Sequence, residues 1–221
     1  MAKRTRKQTP TATTQTHIGY FGKFKPEQEK IVRRAVVAGN PTVKKLLGIW
    51  RGLGDVSDFF QDGYVEGLDQ LYSEALGCLK GVKHSPSDIA QFSLELKAFE
   101  GELSFEEKAG IFLSALINTC KAKSFTIITE NLDNPPACLG YLNRRRNILV
   151  KGSVGMYLGE GMIGGEITVT GRADSFVGED MSGGILRIEG ECGDMRENAS
   201  GIQGGDIYYK GKLIISKGRK L

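Results

Sequence analysis

Gly152, Gly171, Gly190 and Gly211 stand 19, 19 and 21 residues apart, and each closes a short run in which apolar and polar residues alternate. Alternation is the period of a strand. Ile148 and Val150 match Ile167 and Val169, then Leu186 and Ile188, then Ile207 and Tyr209. The intervening positions are mostly polar: Thr168, Arg187 and Tyr208 form one column, and Thr170, Glu189 and Lys210 another. A unit this short has no interior of its own, so its apolar column is buried only by stacking on further copies. Like strands would then lie about 4.8 Å apart around a shared interior. The spacing predicts a short parallel β-helix.

The glycines between the strands follow the same step. In GSVGMYLGEGMIGGEITVTG, Gly155, Gly159 and Gly161 precede the pair Gly164–Gly165. The next copy keeps Gly178 and the pair Gly183–Gly184, with Asp174 and Asp180 where the first has glycine. The third has Gly193, Gly201 and the pair Gly204–Gly205, places Glu197 at a glycine position, and carries a two-residue insertion. A phosphate-binding loop is one glycine-rich turn feeding a helix N-terminus. Here three copies lead into strands and no GKS or GKT follows, so the glycines are assigned to corners and close backbone approaches. Met162 and Met181, and Tyr157 and Phe176, are also one repeat apart. The methionines are expected to stack inside the coil. The aromatic pair is expected to stack or to cover the helical unit.

This pattern, over about residues 124–215, resembles the GXGXG repeat domain. That domain forms the C-terminal part of the large subunit of glutamate synthase and the C subunit of formylmethanofuran dehydrogenase and related formyltransferase/hydrolase complexes. The resemblance implies a right-handed β-helix without catalytic residues. It also implies a role as a scaffold or assembly subunit of an oxidoreductase- or transferase-type complex.

The first half reads as helical. PEQEKIVRRAVVA is amphipathic and stops at Gly39. Asn40 and Pro41 begin a helix carrying Val43, Leu46, Leu47 and Trp50. Phe60, Tyr64, Leu68, Leu71, Ala75 and Cys78 recur at helical steps over Val56–Leu79. Ser85 and Pro86 open the next helix, which buries Ile89, Phe92, Leu94 and Leu96. Ser104 and Glu107 have capping-box spacing ahead of Phe105, Ala109, Phe112, Leu116 and Cys120. The expected architecture is an α+β chain in two parts: an N-terminal helical bundle followed by the β-helix. The expected boundaries are a basic tail at 1–20, a helical domain at 21–123, the β-helix at 124–216 and a basic end at 217–221.

The formal charge of +4 resides in Lys3, Arg4, Arg6 and Lys7; the chain from His17 onward sums to zero. Basic tips of this kind make non-specific contacts and do not amount to a nucleic-acid-binding domain. The tail has no apolar stretch of a secretion signal, no run of residues is long and apolar enough to span a membrane, and a cytoplasmic protein is expected. Cys78, Cys120, Cys138 and Cys192 show no CxxC spacing, so neither a zinc nor an iron–sulfur site is expected, and all four are read as reduced thiols. No other cofactor or metal is expected. Cys78 and Cys120 are read as buried.

Three functional classes remain open. The leading one is a non-catalytic subunit that binds other protein chains or itself, because a solenoid has two ends that must be capped or bound. The second is a small hydrolase or transferase using Cys138, whose pKa nearby arginines would lower, or the loop carboxylates Asp174, Glu179, Asp180, Glu191 and Asp194. His84 is the one histidine outside the tail edge, and no acid is spaced to pair with it. The third is a binding module for a small anionic ligand, gripped by Arg144, Arg145 and Arg146 in a loop.

Overall fold

The computed structural model describes residues 39–54, 64–193 and 201–221. The expected helix at 26–38, the tail with His17, the start of the Val56–Leu79 helix, Asp194 and Glu197 lie outside the described residues. The chain is α+β: four described α-helices precede a seven-stranded sheet wound as a β-solenoid of about four turns.

Helix α1 (Pro41–Gly52) starts where Asn40 accepts hydrogen bonds from the amides of Thr42 (2.9 Å) and Val43 (3.4 Å). The Asn40 amide also donates to Asp88 (2.6 Å) and Gln91 (3.2 Å) of α3 (Pro86–Glu95), so one side chain caps a helix and ties it to its neighbour. Asn40→Ala is therefore expected to cost about 1–2 kcal/mol, read as a lower denaturant midpoint at unchanged slope. A capping box between Ser85 and Asp88 starts α3. Ile89, Phe92 and Leu96 are buried as expected, but Leu94 is only half-buried, and a 3-10 turn (Leu96–Phe99) carries Phe99 inward as well.

Helix α2 (Tyr64–Cys78) buries Leu68, Leu71 and Ala75. Cys78 is exposed, contrary to expectation; Leu79, four residues beyond Ala75, takes the buried place. Helix α4 (Phe105–Thr119) lacks the expected capping box: Ser104 sits at φ 53°, outside the extended region that aims a cap side chain at the first turn. Its five stripe residues are buried, and so are Ile111, Leu113, Ala115 and Ile117. The helix is closed on all sides because α2, α3 and the sheet pack around it.

Strands β1 (Ser124–Ile128), β2 (Arg144–Lys151), β3 (Gly164–Val169), β4 (Ile185–Ile188) and β5 (Asp206–Tyr209) pair in parallel and in order. Their register stacks Phe125, Ile148, Ile167, Leu186 and Ile207 in one column and Ile127, Val150, Val169, Ile188 and Tyr209 in the next. All are buried except Tyr209, which is half-buried. The second glycine of each pair turns the corner: Gly165, Gly184 and Gly205 have φ of 93°, 101° and 87°. A Cβ on Gly184 or Gly205 would lie 2.5 Å from the terminal methyl of buried Met162 or Met181.

Both ends of the parallel stack, β1 and β5, are met from within the chain. Helix α3 packs on β1, where the Ile128 amide donates to Ser93 Oγ (3.0 Å). At the other edge, β6 (Lys212–Ser216) and β7 (Arg219–Lys220) turn back antiparallel. Lys210–Gly211 and Lys217–Gly218 make the turns with all four φ positive, as two-residue hairpins require. One buried cluster runs without interruption from Val43 in α1 to Ile215 in β6.

Candidate functional site

The arginine triplet is not a loop. Arg144–Arg146 opens β2, and the pairing with β3 slips between Arg144 and Arg146, leaving Arg145 as a bulged residue. Neighbouring residues of a regular strand face opposite ways. The bulge breaks that rule, and both Arg144 and Arg145 line one cleft. The cleft has a volume of about 700 Å³ and lies where α2 (Tyr72, Leu76), the end of α4 (Asn118, Thr119) and the solenoid (Leu142, Ile163) meet.

The three arginines differ in what they already hold. Arg146 donates to the carbonyls of Ala122 (2.9 Å) and Asn118 (3.4 Å), satisfying backbone acceptors at the end of α4. Arg144 and Arg145 are exposed, and no described carboxylate pairs with either. Beside them, the Tyr72 hydroxyl accepts from Asn118 Nδ2 (2.9 Å). Burial pushes the Tyr72 phenol up, while Asn118 and the charge of Arg144 pull it part of the way back. Tyr72 therefore stays protonated and has its hydroxyl hydrogen to give. Leu76, Leu142 and Ile163 supply an apolar wall, and Ile163 is 49% exposed. Two guanidinium groups, a phenol donor and an apolar wall fit an organic anion with an apolar body.

The other sequence candidates are held in structural roles. Cys138 is fully buried, its sulfur 3.6 Å from the Tyr64 hydroxyl of α2. Burial pushes its thiol well up, the opposite of the activation expected from nearby arginines. Cys192 is likewise pushed up to about 11, chiefly by burial. The ring nitrogens of His84 face the carbonyls of Val82 (3.1 Å) and Leu116 (2.9 Å), so it seals the end of α4. Asp174 pairs with Arg172 (3.1 Å) and Glu191 with Lys210 (2.6 Å), on neighbouring turns joined where Ala173 bridges Cys192. Among the described residues, no group of three or more His, Cys, Asp or Glu is arranged to hold a metal ion, and no helix is long and apolar enough to cross a membrane.

Sequence reasoning missed Glu160. It is 4% exposed, and its Oε2 is buried without a hydrogen-bond partner. Burial, then Asp180, Glu179 and Asp69, push its carboxyl up to about 7. The signal was present: Glu160 and Glu179 stand 19 residues apart, the step that stacks the apolar columns. No family model matches the chain, and neither a curated protein nor a solved structure matches it.

Proposed function

We propose that the protein is a non-catalytic recognition module that binds an organic anion in the cleft between α2, α4 and the solenoid. The observation carrying this reading is the bulge at Arg145, which brings Arg144 and Arg145, both exposed and neither paired with a described carboxylate, into the lining of one concave, partly apolar site. Phenyl phosphate is a suitable probe, with inorganic phosphate as the comparison lacking an apolar body. Phenyl phosphate is expected to shift the amide resonances of Tyr72, Arg144 and Ile163 and to bind more tightly than inorganic phosphate. The double variant R144A/R145A is expected to weaken it at least tenfold, as two charge-assisted bonds of about 1–2 kcal/mol each would require. Unchanged affinity in that variant would remove the proposal.

A second reading is favoured by exposed apolar side chains on the solenoid, Ile163 at the cleft and Met156 at 41% exposure. In it the chain is an assembly subunit, and a partner chain places a carboxylate in the cleft. This agrees with the resemblance of the glycine pattern to a non-catalytic domain of larger enzymes. Both ends of the parallel stack are met from within the chain, so the docking surface would be lateral. Native mass measurement of the protein purified from its own cells separates the readings: a heavier species that R144A/R145A returns to monomer supports the assembly subunit.

A further inference from the structure

Asn143, Met162, Met181 and Ile202 stand 19, 19 and 21 residues apart, the step of the coils. The main chain shows their equivalence. The carbonyl of Asn143 accepts from the amides of Ile163 (2.9 Å) and Gly164 (3.2 Å), and that of Met162 from Ser182 (2.9 Å) and Gly183 (3.3 Å). The carbonyl of Met181 accepts likewise from Gln203 (2.9 Å) and Gly204 (3.1 Å). All four side chains are buried, and Asn143 is the one polar member of the column. Burying an amide is costly unless its hydrogen bonds are made. Here both go to one residue: Asn143 Oδ1 accepts from the Arg146 amide (3.0 Å), and Asn143 Nδ2 donates to the Arg146 carbonyl (3.0 Å).

Arg144 and Arg145 are the excursion that this clamp closes. The later coils turn here through Gly165, Gly184 and Gly205 at positive φ; Arg146, paired with Gly165, does not share that conformation. The first coil therefore makes its corner with the Asn143 clamp, and the clamp fixes the backbone from which two adjacent arginines enter the cleft. Asp and Glu are absent from the described residues that line it. Neighbouring guanidinium groups repel each other, and a single negative charge offsets only part of that repulsion. Tyr72 adds a neutral donor. The Tyr141 carbonyl can only accept and lies 3.1 Å from Asn118 Nδ2, so that atom is the amide nitrogen. The same nitrogen donates to Tyr72, which leaves the hydroxyl hydrogen for a ligand. Three donor groups then meet the three terminal oxygens of a phosphoryl group. Resting on the reading of the cleft as an anion site, we infer that Asn143 positions Arg144 and Arg145 for the two negative charges of a phosphomonoester.

Calorimetric titration of the full chain tests this at about pH 8, where a phosphomonoester carries close to two charges. Phenyl phosphate is compared with phenyl sulfate, which has the same shape and one charge. Phenyl phosphate is expected to bind about tenfold more tightly, or better. Asn143→Met, which completes the apolar column, is expected to bring the two affinities within about threefold of each other, chiefly by weakening phenyl phosphate. A structural role alone would lower both affinities together and keep their ratio. Asn143→Ala removes the clamp without adding volume, should narrow the ratio in the same way, and serves if the methionine variant does not fold. Phenyl sulfate binding as tightly as phenyl phosphate to the unmodified protein, or an unchanged ratio in a folded Asn143 variant, would overturn the inference and leave the anion site standing. Binding of neither compound would remove the anion site and the inference with it.

Discussion

Gly110→Ala should lower stability by more than about 3 kcal/mol, although it exchanges a poor helix former for the best one. Gly110 lies in the middle of α4. Helix propensity alone predicts a gain of about 1 kcal/mol. At this position a Cβ would sit 1.6 Å from the carbonyl oxygen of Ala137 and 3.2 Å from the Leu139 amide nitrogen. Those are backbone atoms, and that backbone is held. Ala137 donates to the Glu106 carbonyl (3.0 Å), and Cys138 donates to Met156 (2.8 Å). The segment cannot retreat without breaking the seam between α4 and the first coils. The variant is expected to be insoluble, or to melt at least about 6 °C lower in a chain of this size. Gly48→Ala in α1 is the control: nothing lies within 4 Å of the added carbon, and the site is exposed. That change should gain about 0.5–1 kcal/mol. Equal effects from the two substitutions would show that α4 does not press on the solenoid as described.

The same contrast explains what the sequence could and could not disclose. The stacked columns were legible because a solenoid repeats its contacts at a fixed step, so Ile167, Leu186 and Ile207 announce their neighbours by spacing alone. Met162 and Met181 were legible for that reason, as was the stack of Tyr157 on Phe176. Phe125 and Ile127 did not announce themselves as a further coil, because the corner before β2 carries Leu142 and the arginines in place of the later glycines. The antiparallel turn-back at the end was hidden, because strand direction there is set by the two-residue turn at Lys210–Gly211. Burial of α4 on every side was hidden, since periodicity reports one face and the other faces meet elements distant in sequence. The cleft was hidden in the same way. Arg144 and Arg145 were noticed for their charge, but the bulge that brings them together arises from pairing with Gly164 and Gly165 across a coil. Cys138 shows the converse error, where nearness to arginines in sequence suggested activation and burial against Tyr64 produced the opposite.

Leu186→Ala tests the shared interior most directly. Leu186 is fully buried, between Ile167 on one coil and Ile207 on the next. Its methyl groups are also pressed by main chain: Cβ atoms placed on Gly159 and Gly178 would lie 3.0 and 3.2 Å from them. Leucine-to-alanine changes in cores cost about 2–5 kcal/mol, the larger values belonging to sites that cannot collapse. A cavity walled by hydrogen-bonded corners has little freedom to close, since Gly159 donates to Leu139 (2.9 Å) and Gly178 to Leu158 (2.8 Å). The expected loss is therefore near about 4 kcal/mol, a fall in melting temperature of about 8–16 °C. Leu186→Met keeps the volume and should cost less than about 1.5 kcal/mol. Ile185→Ala, one residue earlier on the half-buried opposite face, should cost about 1 kcal/mol or less. The ordering of these three variants carries the test. Were Ile185→Ala to cost as much as Leu186→Ala, the two faces of β4 would be equally buried, and the single interior running from Phe125 to Ile207 would not exist.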